Sequence, residues 1–382
     1  MVLLWASSGF VIAQARAVPE SEATKQAMTL EQQGDWKGAE AAWRKRIAQN
    51  PRDAVATAHL GLALARQTDY PGAVAAYRRA LRLDPKIPGL QLDLGLALFK
   101  QGKLDEAIAP LKLALEAAPG NPQAGILLGM SYYGTSQYAD AVPYLRSAVE
   151  KAPENLEMRG VLAQSCLQAR QYPCVLEEYK QILTANPDSA QAHMLGGEAL
   201  DGMNRTPDAI AEFQAAERAA PTEPNVHFGL GYLLWKQHRY PEADKEFRLE
   251  IENEPTHAQA LAYLGDTEIK LQHRAEAEAD LLRAVHQAGS IPLAWLDLGI
   301  FLADQGKNDE AQADFEHAIA MDPNGVDAHW RLARLYQATG KADAAQAEFA
   351  RARALHEKED NSLMQQMTPA AATPAKQTPP AH

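Results

Sequence analysis

Apolar positions recur along this chain with two spacings at once. Over short stretches such as Leu60, Gly61 and Leu64 they fall three and four residues apart, the spacing of one helix face. Over longer stretches the whole pattern returns every 34 residues, as the prolines Pro51, Pro85, Pro119, Pro153, Pro187, Pro221, Pro255 and Pro323 mark, with Gly289 in the skipped place. Counting from Glu20 gives ten contiguous units: 20–53, 54–87, 88–121, 122–155, 156–189, 190–223, 224–257, 258–291, 292–325 and 326–359.

Three places in the unit carry most of the information. Place 8 holds only Gly or Ala, as in Gly61, Gly95, Gly231, Gly265 and Gly299. Place 20 is Ala in every unit but one, where Val175 stands. Place 24 is large: Trp43, Tyr77, Leu111, Phe247 and Phe315 are examples. This is the pattern of two helices in close approach, with small residues at the contact and a bulky one filling the space beside it. Gly inside a helix costs about 0.5–1 kcal/mol relative to Ala, so its return at place 8 implies a steric need. Gly34, Gly102, Gly306 and Gly340 mark the turn between the helices, with polar residues there in other units. Pro71, Pro173, Pro207 and Pro241 then suit the first turn of the second helix, where an N–H is not needed.

Trp295, Leu298, Gly299, Ala311, Phe315, Ala318 and Pro323 resemble the consensus of the tetratricopeptide repeat family, and residues 20–359 repeat it ten times. The resemblance implies an all-α protein, an α-solenoid coiled as a right-handed superhelix over residues 18–359. It also implies that the first helix of each unit builds an inner groove from places 2, 5, 9, 12 and 13. Those places hold Leu92, Leu96, Phe99, Ile126, Met130 and Tyr133 in units three and four, then Met194, Glu198 and Asp201 in unit six. Phe228, Tyr232 and Trp235 follow in unit seven, Asp266 in unit eight, Leu296 and Ile300 in unit nine, and Trp330 in unit ten. Such a lining suits a peptide or protein segment with apolar anchors, with a basic residue of the ligand near Glu198, Asp201 and Asp266. The alternative is that neighbouring first helices cover the apolar strip themselves. Family members that clamp a C-terminal carboxylate use Lys at place 5 and Asn at place 9; neither occurs here.

Composition narrows the function classes. The 382 residues carry a formal net charge of −12, which argues against nucleic acid as a partner. No grouping of nucleophile, base and orienting partner is legible, so neither an enzyme nor a cofactor is expected. His193, His227 and His329 share place 4 and read as half-buried rings at a helix seam rather than as metal ligands. The two cysteines, Cys166 and Cys174, fall on the two helices of unit five. They form either a disulfide in an oxidising compartment or two reduced thiols. Gly72, Glu106 and Glu242, at the place equivalent to Cys174, suggest a position that faces solvent and so favour the thiols.

The ends differ from the repeats. Val2 to Trp5 and Phe10 to Ile12 are apolar, too short a run to span a bilayer, and are followed by Ala13-Gln14-Ala15 and Ala15-Arg16-Ala17. Residues 1–17 therefore read as a signal peptide, although no Lys or Arg precedes the run; a capping segment is the alternative. Residues 360–382 read as a helical extension followed by a Pro/Ala/Thr-rich tail. The expectation is a non-catalytic scaffold that binds a protein segment and is exported to the periplasm or secreted, with the cytoplasm as the alternative site. An accessory subunit of an envelope assembly or export machine is the second reading. A non-catalytic partner of a transferase is the third.

Overall fold

The computed structural model describes residues 22–367, with side chains through Lys358. The signal peptide expected over 1–17 and the tail beyond Met367 lie outside the described residues. Within them there are twenty helices and no strand. They form two compact units, one ending at Arg205 and the other beginning at Thr206.

The first unit holds α1 (Glu22–Gln32), α2 (Trp36–Gln49), α3 (Ala54–Arg66), α4 (Tyr70–Leu83), α5 (Leu90–Lys100), α6 (Leu104–Ala117), α7 (Pro122–Gly134), α8 (Tyr138–Lys151), α9 (Leu156–Gln168), α10 (Tyr172–Ala185) and α11 (Ala190–Gly202). The second holds α12 (Thr206–Ala219), α13 (Val226–Lys236), α14 (Tyr240–Asn253), α15 (Ala258–Lys270), α16 (Arg274–Val285), α17 (Pro292–Asp304), α18 (Asn308–Met321), α19 (Val326–Ala338) and α20 (Ala342–Met367). Inside each unit consecutive helices pack as hairpins and each hairpin leans on the next, the construction of an α-solenoid.

The sequence pattern explains each joint. Place 34 supplies the N-cap of most of the following first helices, while α5 and α13 begin two residues later, after Gly89 and Asn225. Asp53, Asn121, Asn155 and Ser189 accept a hydrogen bond from the backbone N–H three residues on, and the His257 ring nitrogen does the same. Place 15 turns the chain with positive φ in all ten units. Four of these turns use glycine, among them Gly102 at φ 77°, and six hold other residues, from Arg170 at 56° to Gln272 at 66°. The hairpin contact follows from places 8 and 24. A Cβ added at Gly95 would lie 2.6 Å from Leu111, one at Gly231 2.8 Å from Phe247, and one at Gly299 2.7 Å from Phe315. No larger residue fits there without moving the bulky partner.

A second cross-link was not read from the sequence. Place 4 on the first helix meets place 23 on the second. Arg159 pairs with Glu178 at 2.5 Å, His227 with Glu246 at 2.8 Å, and His329 with Glu348 at 2.5 Å. His227 and His329 are thus carboxylate-bound side chains of the hairpin seam, while the His193 ring meets the Pro187 carbonyl at 3.2 Å. In unit nine Trp295 replaces the basic residue and stacks on His317 at 4.5 Å. Its opposite number Asp314 is left with a buried Oδ2 lacking a hydrogen-bond partner, and burial pushes that carboxyl up to about 6 against the pull of His317.

The cysteines correct an expectation. Cys166 and Cys174 are joined as a disulfide, with sulfurs 2.03 Å and Cα atoms 6.0 Å apart. Cys174 is buried rather than facing solvent, because the turn between α9 and α10 folds it onto Cys166.

Candidate functional site

The inner helices decide which residues of the expected groove remain reachable. In the first unit α3, α5 and α7 touch in succession. Leu92 and Leu96 on α5 are only 4% exposed and belong to the core, so they line no open surface. Phe99, Met130 and Tyr133 are partly buried against the same core, and Tyr133 meets Tyr138 edge-on at 5.8 Å. Ile126 lies at a cavity of 540 Å³ between α6, α7 and α8, with Leu115 and Tyr144. Met194 and Asp201 are half-buried and Glu198 is exposed, all on α11. The apolar strip expected here is therefore largely sealed by neighbouring helices.

The second unit is different. Phe228, Tyr232 and Trp235 on α13 are drawn into one aromatic cluster whose hub is Tyr263 on α15. The Tyr263 ring lies 6.0 Å from Phe228, 5.4 Å from Tyr232, 5.1 Å from Trp235 and 6.0 Å from Phe247. Burial first, and then Tyr232 and Asp266, push its hydroxyl up to about 12. Phe228 is further tethered through the helix start. Glu250 accepts hydrogen bonds from the Asn225 and Phe228 backbone N–H groups, both at 2.9 Å, satisfying amides that the helix cannot. The trio is thus a packed platform, of which Trp235 borders open space.

That space is a cavity of 1220 Å³. It runs along α13, α15, α17 and α19, which touch in succession, and α20 adds a wall through Ala345, Phe349 and His356. Trp235, Leu296, Ile300 and Trp330, all named in the expected groove, line it. Trp330 is 38% exposed, enough to meet a ligand directly.

Charge is concentrated at its floor. Asp266, expected to await a basic group, is already engaged: Trp235 Nε1–H donates to it at 2.6 Å and Lys270 approaches at 3.5 Å. Beside it lies a carboxylate that sequence reasoning missed. Asp297 is 6% exposed, lines the cavity, and keeps its Oδ2 buried without a hydrogen-bond partner. Burial above all, and then the Asp266 charge, push its carboxyl up to about 8; Lys270 and Arg331 pull the other way and Asp327 adds to the rise. Tyr263 and Asp297 share place 6, outside the groove set. A signal was available, since place 6 follows place 2 by four residues and precedes place 9 by three, on the same helix face.

Two other groups bring donor atoms within 4.8 Å of one another and have the chemistry to hold a cation: Glu217, His227 and Glu246, and Glu250, Glu254 and His257. Both draw on side chains with structural duties. Glu246 holds His227, Glu250 caps α13, and His257 bonds Asn225 and caps α15.

Known proteins place the chain by its repeats. A model described as tetratricopeptide repeat matches residues 24–88, 60–122, 176–224, 228–290 and 264–311, and a second of the same description matches 132–199 and 302–367. A comparison with curated proteins returned no match. Among solved structures the chain is similar to MamA, with 21% identity and a TM-score of 0.38 over 43% of this chain and 96% of that one. It is similar also to YrrB, described as a TPR protein with an unusual peptide-binding site, with 20% identity and a TM-score of 0.39 over 50% and 98%. The human IFIT1 dimer with m7Gppp-AAAA matches at 16% identity and a TM-score of 0.44 over 89% and 91%.

Proposed function

The chain belongs to the tetratricopeptide repeat family, and from that premise we propose that it is a non-catalytic interaction scaffold whose second unit binds a protein segment. The observation that carries this reading is the cavity along α13, α15, α17 and α19, where Trp235, Leu296, Ile300 and Trp330 stand over a charged floor. Half-exposed indoles on a preformed surface are the side chains that most often anchor a bound chain. Trp330→Ala tests it with little risk to folding, since that ring is already exposed. Peptides selected on the native protein from a random library should bind the variant about tenfold or more weakly. Unchanged affinity would remove the cavity from the reading.

The scaffold works in an oxidising compartment, outside the cytoplasm. The Cys166–Cys174 bond supports this, because such bonds persist where thiols are not kept reduced. The check is alkylation of the chain under denaturing conditions, taken directly from its native host. Both cysteines should resist a maleimide until a reductant is added; free thiols in the untreated sample would count against export.

A further inference from the structure

Asp297 is the one feature of the cavity that packing does not explain. Native proteins seldom bury a carboxylate without partners, since the cost of leaving it unpaired exceeds that of an ordinary missing hydrogen bond. The two cations whose charge reaches it, Lys270 and Arg331, have other contacts. On α15, Lys270 reaches Asp266, which also takes the Trp235 indole N–H. On α19, Asp327 is like-charged, and the Arg331 guanidinium lies over the Trp330 ring at 5.3 Å. Arg353 and His356 on α20 stand on the cavity wall. Among the described residues no ion pair reaches Asp297, although two further carboxylates border the same space.

We propose that Asp297 is the receptor for one basic side chain, Lys or Arg, of a partner peptide seated in the cavity. The inference deepens the reading above and rests on it. Charge complementarity selects the occupant: a cation beside Asp297 offsets the Asp266 and Asp327 charges that oppose its ionisation, which a neutral donor would not do. The long apolar stem of Lys or Arg suits a site bordered by Trp235 and Leu296. Binding is coupled to a proton. In the empty cavity Asp297 holds its proton up to about pH 8. A cationic ligand requires the ionised form, so the proton leaves Asp297 for solvent as the ligand enters. Affinity therefore rises with pH and levels off above about 8.

The test uses the full chain and peptides selected on it from a random library. A selected peptide is then compared, by calorimetry across the neutral to mildly alkaline range, with a copy in which norleucine replaces its basic residue. The selected sequences should carry Lys or Arg among apolar residues, and the norleucine copy should bind about tenfold or more weakly. Affinity of the basic peptide should climb toward pH 8 and that of the norleucine copy should not. Asp297→Asn should abolish the difference between the two peptides while melting no lower than the native chain, so that lost binding is not lost folding. Selected peptides without basic residues, bound equally well by Asp297→Asn, would overturn this inference and leave the scaffold reading intact. An empty selection would sink both. Tighter binding of the basic peptide on Lys376→Gln would assign the cavity to the chain's own tail and overturn the partner.

Discussion

Replacing Phe247 by Ala is expected to destabilise the second unit by about 3–5 kcal/mol, the usual cost of removing a fully buried aromatic ring. Phe247 is 0% exposed and lies against Gly231, where even a Cβ would come within 2.8 Å of the ring. It also meets Phe228 at 6.1 Å and Tyr263 at 6.0 Å. The glycine leaves no side chain of its own to fill the vacancy, since the Phe247 ring is what occupies the room that Gly231 provides. Urea unfolding of the native and variant chains measures it directly. The same change at Phe349, which is half-buried, should cost less. Equal losses at the two positions would contradict the distinction between a sealed seam and one open to the cavity.

Asp297→Asn is expected to stabilise the protein, and by an amount set by pH. The folded-state value of about 8 lies above the ordinary carboxylate value of about 3.9, so between them the folded chain holds a proton that the unfolded chain has released. Stability from this group is present below about pH 4 and is lost as pH rises, the loss being complete above about pH 8. Asparagine has no such loss. The variant should therefore match the native chain near pH 4 and exceed it by about 2–4 kcal/mol above pH 8, a figure reduced from the full shift because water and relaxation soften buried charges. Glu268, raised to about 7 by burial and then by Asp280, and Asp314, raised to about 6 by burial, contribute the same sign over narrower windows. They are common to both chains and cancel in the difference. A variant advantage independent of pH would mean that Asp297 is not held in a dry site.

Much of the hairpin architecture is legible in the sequence because identical units face identical problems. Gly61, Gly95 and Gly231 recur because a ring or leucine from place 24 needs the room, and Asp53 and Asn121 recur because each first helix starts with unpaired amides. The candidate site is less legible, since it is built from what differs between units. Trp235 and Trp330 could be singled out as large residues on a face that the family keeps for ligands, and both border the cavity. Leu92 and Leu96 carry the same pattern and are core. Asp266 looked like a vacant acid and is bonded to Trp235.

The amino-acid order alone determined the helical class, the 34-residue period and the close contact of places 8 and 24 within each hairpin, because those are short-range consequences of side-chain size, capping and turn geometry. Only the tertiary structure decided which inner positions stay open, that Cys166 and Cys174 meet, and that Asp297 is left alone beside Asp266. The open positions depend on how closely successive hairpins approach, and the other two outcomes on which side chains the fold brings within reach of one another. The order of residue types along the chain does not encode either.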